Sequence, residues 1–462
     1  MRVSHAPAAV SAVFDDPNLV SCAGLVPALA LARRCGLHQL VAAKVKVGAE
    51  GGAFPAVKVP ALVAGMVAGA DSIDDMDLLR HGGMGRLFAG VRAPSTLGTF
   101  LRCVTFGHVR QLDSVAAGFL TNLAAHTPLL PGAGQVAYVD IDDTIRETHG
   151  YAKQGVGFGY SGVKGLNALI GTVCTPLAAP VIAATRLRRG STNSARGAAR
   201  LVADALVTAK NVGATGLLIT RADSAFYTRD VIAAIRRGGA RFSVTARHNS
   251  AVVRAIAGID PTAWSPIHYP NAVFDEDEQR WISDAEVAEV PFTAFTSRRS
   301  GGQITARLIV RRVRRLNPVS AHGHEQDELF AAYRYHGVFT DSPLEMLAAE
   351  ADHRGHAVIE QVIADLKDSA LAHLPSGKFT ANAAWLVLAA IAFNLTRAAG
   401  ALASAVHARA RTATIRTQLI GVPARLARSA RRLVLHLPRD WPWQHAWQAL
   451  HAAALRPPAT AS

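Results

Sequence analysis

The period of hydrophobic and polar positions changes along this chain, and each change predicts a different kind of structure. Up to about residue 130 apolar residues recur at helical spacing. Leu25 to Val45 reads as two short amphipathic helices joined at Cys35-Gly36, a helix-turn-helix-like spacing. Val59 to Ala70 predicts an apolar helix, and Pro94-Ser95-Thr96 opens another. From Gln135 the period falls to two. In QVAYVDIDDTIRETHG, Val136, Tyr138, Asp140 and Asp142 share one strand face, with Ala137, Val139 and Ile141 on the other. Two apolar runs follow (LNALIGTVCT and PVIAATRL), then a helix (SARGAARLVADALVTAKNV), a strand ending in Asp223, a helix (TRDVIAAIRRGG) and a strand (ARFSVTAR). The order β-β-β-α-β-α-β matches an α/β, RNase H-like core, a mixed sheet with helices on both faces. The glycine-rich GVGFGYSG lacks the strand-to-helix setting of a phosphate loop and reads as a turn between paired strands.

From His248 to Ser342 the pattern is strand-like and arginine-rich, which predicts a β-rich insertion into the core. Arg307, Arg311, Arg312, Arg314 and Arg315 would line one strand and its flank as a phosphate-contacting edge. Trp281 reads either as a ring for stacking an unpaired base or as an ordinary core tryptophan. After Pro343 one long helix is expected, with His353, His356, Glu360 and Lys367 along one face. The apolar run Ala381 to Asn394 is short for a membrane span and is followed by Arg397, so a buried core helix is expected and no membrane partner. The resulting division is 1–130 helical N-terminal DNA-binding region, 131–247 first part of the core, 248–342 insertion, 343–400 completion of the core, and 401–462 basic helical C-terminal region.

Charge sharpens this picture. The 462 residues carry a net charge of +15 with only 18% charged side chains. From residue 377 onward, eleven lysines and arginines face a single acid, Asp440. A basic excess confined to one region suits a polyanion, most often nucleic acid. The four cysteines form no CxxC pair, so neither a zinc site nor a disulfide framework is indicated, and a reducing cytoplasm is expected. No secretory signal is visible at the N-terminus.

Carboxylates at strand ends are costly unless solvated or matched by cations. Asp142, Asp223 and Glu360 are the candidate ligands of two divalent ions, Mg²⁺ or Mn²⁺, which would activate one oxygen and steady another in phosphodiester cleavage. Asp140 competes with Asp142 because it shares its strand face. Lys367, His353 and His356 would hold phosphates beside the metals.

The segments DIDDT at Asp140 to Thr144, GYSGVKG, RADSAFY at Arg221 to Tyr227, and the helix with Glu360 and Lys367 together resemble the DDE transposases of bacterial insertion sequences. The match is to the thirteen-eighty branch of the IS-four-like group. GADSIDDMDLLRH and PSTLGTF in the N-terminal region are similar to this branch too. The resemblance implies an RNase H-like core with a β insertion before the catalytic glutamate and dependence on Mg²⁺ or Mn²⁺. It also implies binding to terminal inverted repeats and to target DNA, and a dimer on paired ends. The Asp-x-Thr spacing aligns Asp142, rather than Asp140, with the first catalytic aspartate. Where the group has Tyr and Arg seven and four residues before the glutamate, this chain has His353 and His356, with Arg354 close by. A structure-specific nuclease of the same fold and a non-catalytic DNA-binding protein from a decayed element are the alternatives.

Overall fold

The N-terminal region is helical, as its periodicity predicts. A computed structural model describes residues 9–149, 153–159, 162–267, 274–275, 280–281, 285–298, 300–314, 333–430 and 432–456. Helices α1 (Leu25–Arg34) and α2 (Leu37–Lys44) meet at Gly36, whose φ of 76° is a left-handed turn that favours glycine. They are followed by α3 (Pro55–Ala68), α4 (Pro94–Cys103) and α5 (Phe106–His126).

The alternating segments form β1 (Val136–Glu147), β2 (Lys164–Thr175), β3 (Ala178–Arg189), β4 (Leu217–Ala222) and β5 (Arg241–Thr245). Their spatial order is β3-β2-β1-β4-β5. β1, β2 and β3 are antiparallel neighbours, whereas β1, β4 and β5 run parallel. The two parallel connections carry helices, α6 (Ala198–Asn211) and α7 (Arg229–Arg237), as crossovers of that kind require. In the described part of the glycine-rich segment, Gly157 and Phe158 pair antiparallel with Gly165 and Lys164.

The strands expected as an insertion prolong this same sheet. β6 (Ala285–Ala294), β7 (Ile304–Arg314) and β8 (Tyr333–Thr340) are antiparallel, and β8 pairs with β5 through Val338–Thr340. This stretch opens on a helix, α8 (Ser250–Ala257), capped by the Asn249 side chain, a signal the strand-like reading passed over.

The helix expected after Pro343 is broken. α9 (Met346–Arg354) ends in a single 3₁₀ turn at Gly355–Ala357, and α10 (Val358–Lys367) starts anew. Next, α11 (Phe379–Ala403) is long and apolar enough to cross a membrane, yet 89% of its most apolar window is buried inside the protein. It packs on α3, α5 and β3, tying the N-terminal helices and the sheet into one core. Its polar Asn394 pairs with both backbone groups of Ile182, where β3 bulges against β2. The C-terminal region is not wholly helical. β9 (Ala424–Ser429) and β10 (Arg432–His436) form a hairpin that pairs with Leu19–Val20, and α12 (Gln444–Leu455) follows. Its Ala, Leu and Arg are strong helix formers, but Ala424 and Leu426 alternate inward at strand spacing, and burial overrides propensity.

Candidate active site

β1 and β4 lie side by side and parallel, with Ile141 opposite Ala222. The residue after each is an aspartate: Asp142 lies within β1 and Asp223 directly follows the last residue of β4, so the two are neighbours where β4 ends. Connections depart in opposite directions from this point, since β1 leads to β2 and β3 on one side while β4 leads to β5 on the other. Crevices at such switch points are where open α/β sheets bind ligands.

The four acids here have unlike surroundings. Asp140 is fully buried, which works against its charge, yet the Arg221 guanidinium grips both its oxygens at 2.7 and 2.8 Å. With a hydrogen bond from His356 Nδ1 at 3.1 Å, this holds the carboxyl below its ordinary range. Asp143 points to the opposite face and is equally enclosed. It accepts hydrogen bonds from Arg188, from Asn167 at 2.6 Å and from Ser194 at 3.0 Å. Arg188 also donates to the carbonyls of Ser194 and Arg196, both at 2.7 Å.

Asp142 and Asp223 have no such partner: among the described residues neither forms an ion pair. Burial pushes the Asp142 carboxyl up to about 6; the Asp143 N–H, 2.7 Å away, opposes the rise and the charge of Asp223 adds to it. Asp223 opens to solvent and caps the turn Ser224–Phe226 by accepting from Ala225 N at 2.9 Å. Desolvation by the surrounding chain raises its carboxyl as well. Two hard oxygen donors side by side without a counter-charge fit a divalent cation such as Mg²⁺ or Mn²⁺. Asp140, neutralised by arginine, is not available in the same way.

The rest of the expected constellation is gathered only in part. α10 packs against β1, and Lys367 on it is half-buried. Burial lowers its pKa, Arg146 lowers it further, and the nearby Asp142 charge opposes the change. Glu360 is exposed on the same helix. Among the described residues no three His, Cys, Asp or Glu side chains come within reach of one ion, so the expected convergence of three carboxylates is a convergence of two.

His353 and His356 are neighbours across the 3₁₀ turn, their rings stacked with centroids 6.4 Å apart. His356 reaches Asp140, and its charge would act on Asp142 and Asp223 as well. His353 is instead buried between Ser243 Oγ and Thr245 Oγ1 of β5, each 2.9 Å away. Burial drives its pKa down to about 3, which favours the neutral ring. Arg354 and Arg311 both engage the buried Glu350, at 2.8 and 3.2 Å.

The described arginines of the expected edge on β7 are ion-paired within the chain. Arg307 pairs with Glu289, and Arg312 pairs with Glu286 while lying between the rings of Trp264 and Tyr333. The Arg314 and Trp281 side chains and the whole of Arg315 lie outside the described residues. Sequence reasoning missed Arg221 and Arg188. Their signal was there: each sits on a strand beside β1 or β2, among apolar residues that offer a buried cation no other neutraliser than an aspartate.

Fold and site together define an α/β protein whose sheet presents an uncompensated acid pair at a ligand-binding switch point. Residues 4–457 match the family model described as transposase DDE domain group 1, and the chain belongs to that family. It is thus a DDE transposase, a protein of DNA recombination whose partner is DNA and whose relatives generally use divalent metal ions. No curated protein matches the chain.

Proposed function

We propose that this chain is the transposase of a bacterial insertion sequence of the thirteen-eighty branch. It binds the element's terminal inverted repeats as a dimer on paired ends in the cytoplasm, and performs cut-and-paste strand cleavage and strand transfer. The observation that carries the reading is the contrast along β1: Asp140 and Asp143 are locked to arginines, whereas among the described residues neither Asp142 nor its neighbour Asp223 forms an ion pair.

In this reading β1 to β5 with α6 and α7 are an RNase H-like core. Asp142 and Asp223 would hold the divalent ions, and Glu360 on α10 would have to move to them to serve as a third carboxylate. Bound there, divalent ions would supply Lewis-acid stabilisation to the attacking and leaving oxygens of an in-line displacement. The chain's own groups do the remainder. Repulsion between the two aspartates favours whatever neutralises them. Lys367 places a cation beside Asp142 for a phosphate oxygen. With Nδ1 donating to Asp140, the doubly protonated form of His356 would present its Nε2–H to a second one. Water attack on the phosphodiester frees a 3′-hydroxyl, which then attacks a target phosphodiester with the same geometry.

The test uses a supercoiled plasmid carrying the coding sequence with its flanking DNA. Asp142→Asn and Asp223→Asn should each abolish Mg²⁺-dependent cleavage while flanking-duplex binding persists. Near-normal cleavage by either variant overturns the assignment. Joining of pre-cleaved ends to a target separates a transposase from a nuclease of the same fold.

A further inference from the structure

The helix break at Gly355 lies against a buried cluster that cleavage chemistry does not itself require. Arg221, 3% exposed on β4 and two residues before Asp223, makes several contacts at once. Its Nε and Nη2 donate to Asp140, its Nη1 donates to the Asp352 carbonyl at 2.6 Å, and its guanidinium lies 4.0 Å from the centre of the Tyr138 ring. The Tyr138 hydroxyl in turn donates to Asp352 Oδ2 at 2.7 Å. A methyl group on Gly355 would stand 2.7 Å from Arg221 Nη1, so glycine is what lets the guanidinium reach the end of α9. Asp352 is in the last turn of α9, where carbonyls lack helical partners and a cation is favoured. His356, in the 3₁₀ turn, closes the cluster by its bond to Asp140.

We infer that Arg221 is a positioning residue for the transposition reaction. Clamped by Asp140, it fixes the break between α9 and α10 and thereby the placement of Glu360 and Lys367 relative to Asp142 and Asp223. The clamp joins β1, β4 and the helix break through groups withdrawn from water, where each bond is stronger and loss of one partner is costly. One strand delivers Asp223 and, two residues earlier, the residue that holds the helix bearing the third carboxylate. The inference rests on the proposed roles of those carboxylates, and its test includes an arm that does not.

The full-length protein is compared with Tyr138→Phe, Gly355→Ala and Arg221→Lys. Tyr138→Phe removes only the bond to Asp352; Gly355→Ala displaces Nη1 without altering charge; Arg221→Lys keeps a cation for Asp140 but gives up the fork. Hydrogen exchange should quicken about fivefold to tenfold at residues 358–362 and stay unchanged at 217–222, since one buried hydrogen bond is lost at the helix break. Mn²⁺ binding, read by its paramagnetic resonance signal, should stay within about twofold of wild type, because the acid pair keeps its ligands. Plasmid cleavage at saturating Mg²⁺ should fall ~10–100-fold with the half-saturating Mg²⁺ concentration unchanged, as expected for a misplaced group rather than a lost ligand. Unchanged exchange at 358–362 in all three variants overturns the clamp, whether or not the protein cuts DNA. Faster exchange with undiminished cleavage overturns its role in the reaction. Wild-type protein that binds no Mn²⁺ overturns the metal-site reading instead, and leaves the exchange result standing as the measure of the clamp.

Discussion

Asp142 and Asp143 are adjacent in the chain and live under opposite electrostatic conditions. Asp143 points into a closed face where Arg188, Asn167 and Ser194 satisfy it, and Asp140 on the other face is matched by Arg221. Asp142, between them, meets Asp223 at the sheet's carboxyl edge and carries a pKa raised to about 6. The closed faces use charge to hold the strand in place, while the edge leaves charge uncompensated. A protein that tolerates repulsion at one edge and invests two buried arginines in keeping that edge rigid has a site there.

This comparison is open to attack in descending order of effect. The largest expected effect is on chemistry alone: Asp142→Asn removes plasmid cleavage, yet the variant should melt no lower than wild type because a repulsion is relieved. A clear drop in its melting temperature contradicts the picture of an uncompensated edge. Next, Arg188→Ala strands the buried Asp143 carboxylate and should cost about 3–5 kcal/mol in denaturant unfolding. A loss below ~1 kcal/mol there means the closed faces are no different from a surface pair.

The edge should also show in the pH dependence of stability. Because the folded-state pKa of Asp142 lies above its ordinary 3.8, the folded protein binds more protons than the unfolded chain between that value and about 6. Stability is therefore lost as pH rises through this window. Unfolding titrations from about pH 4 to about 7 should show the slope in wild type. They should show it reduced in Asp142→Asn and reduced again when Mg²⁺ is added to wild type. An Mg²⁺-insensitive slope argues against cation binding at the pair. The smallest effect concerns the basic hairpin of β9 and β10, far from this chemistry in sequence. Arg428→Ala with Arg432→Ala should weaken binding to any duplex about equally and flatten the salt dependence of log K by about one unit per lost contact. No change in that slope places the DNA path elsewhere.

Much of the sheet was legible because its signals are local. Period-2 alternation marked β1, the apolar runs marked β2 to β4, and the order of strands and helices gave the connections. The α11 helix was recognisable as core from its unbroken apolar run. The C-terminal hairpin was not, since Ala, Leu and Arg favour helix and only pairing with Leu19–Val20, some four hundred residues away in sequence, makes it a strand. Nor was the break at Gly355, because nothing in HRGHAVIE forbids a continuous helix; the guanidinium that occupies the space comes from β4. Across that turn His353 and His356 still stack, their ring centroids 6.4 Å apart.

The amino-acid order by itself determined which residues carry charge at strand ends, and so which acids were candidates. It determined the family too, through motifs spread over nearly the whole chain. Only the tertiary structure decided which aspartate is neutralised and which is not. An acid's state depends on what stands within a few ångströms of it, and Arg221 and Arg188 reach Asp140 and Asp143 across 81 and 45 residues of chain. Periodicity fixes the face a side chain takes; the partner waiting on that face is set by the packing of strands that the local pattern does not bring together.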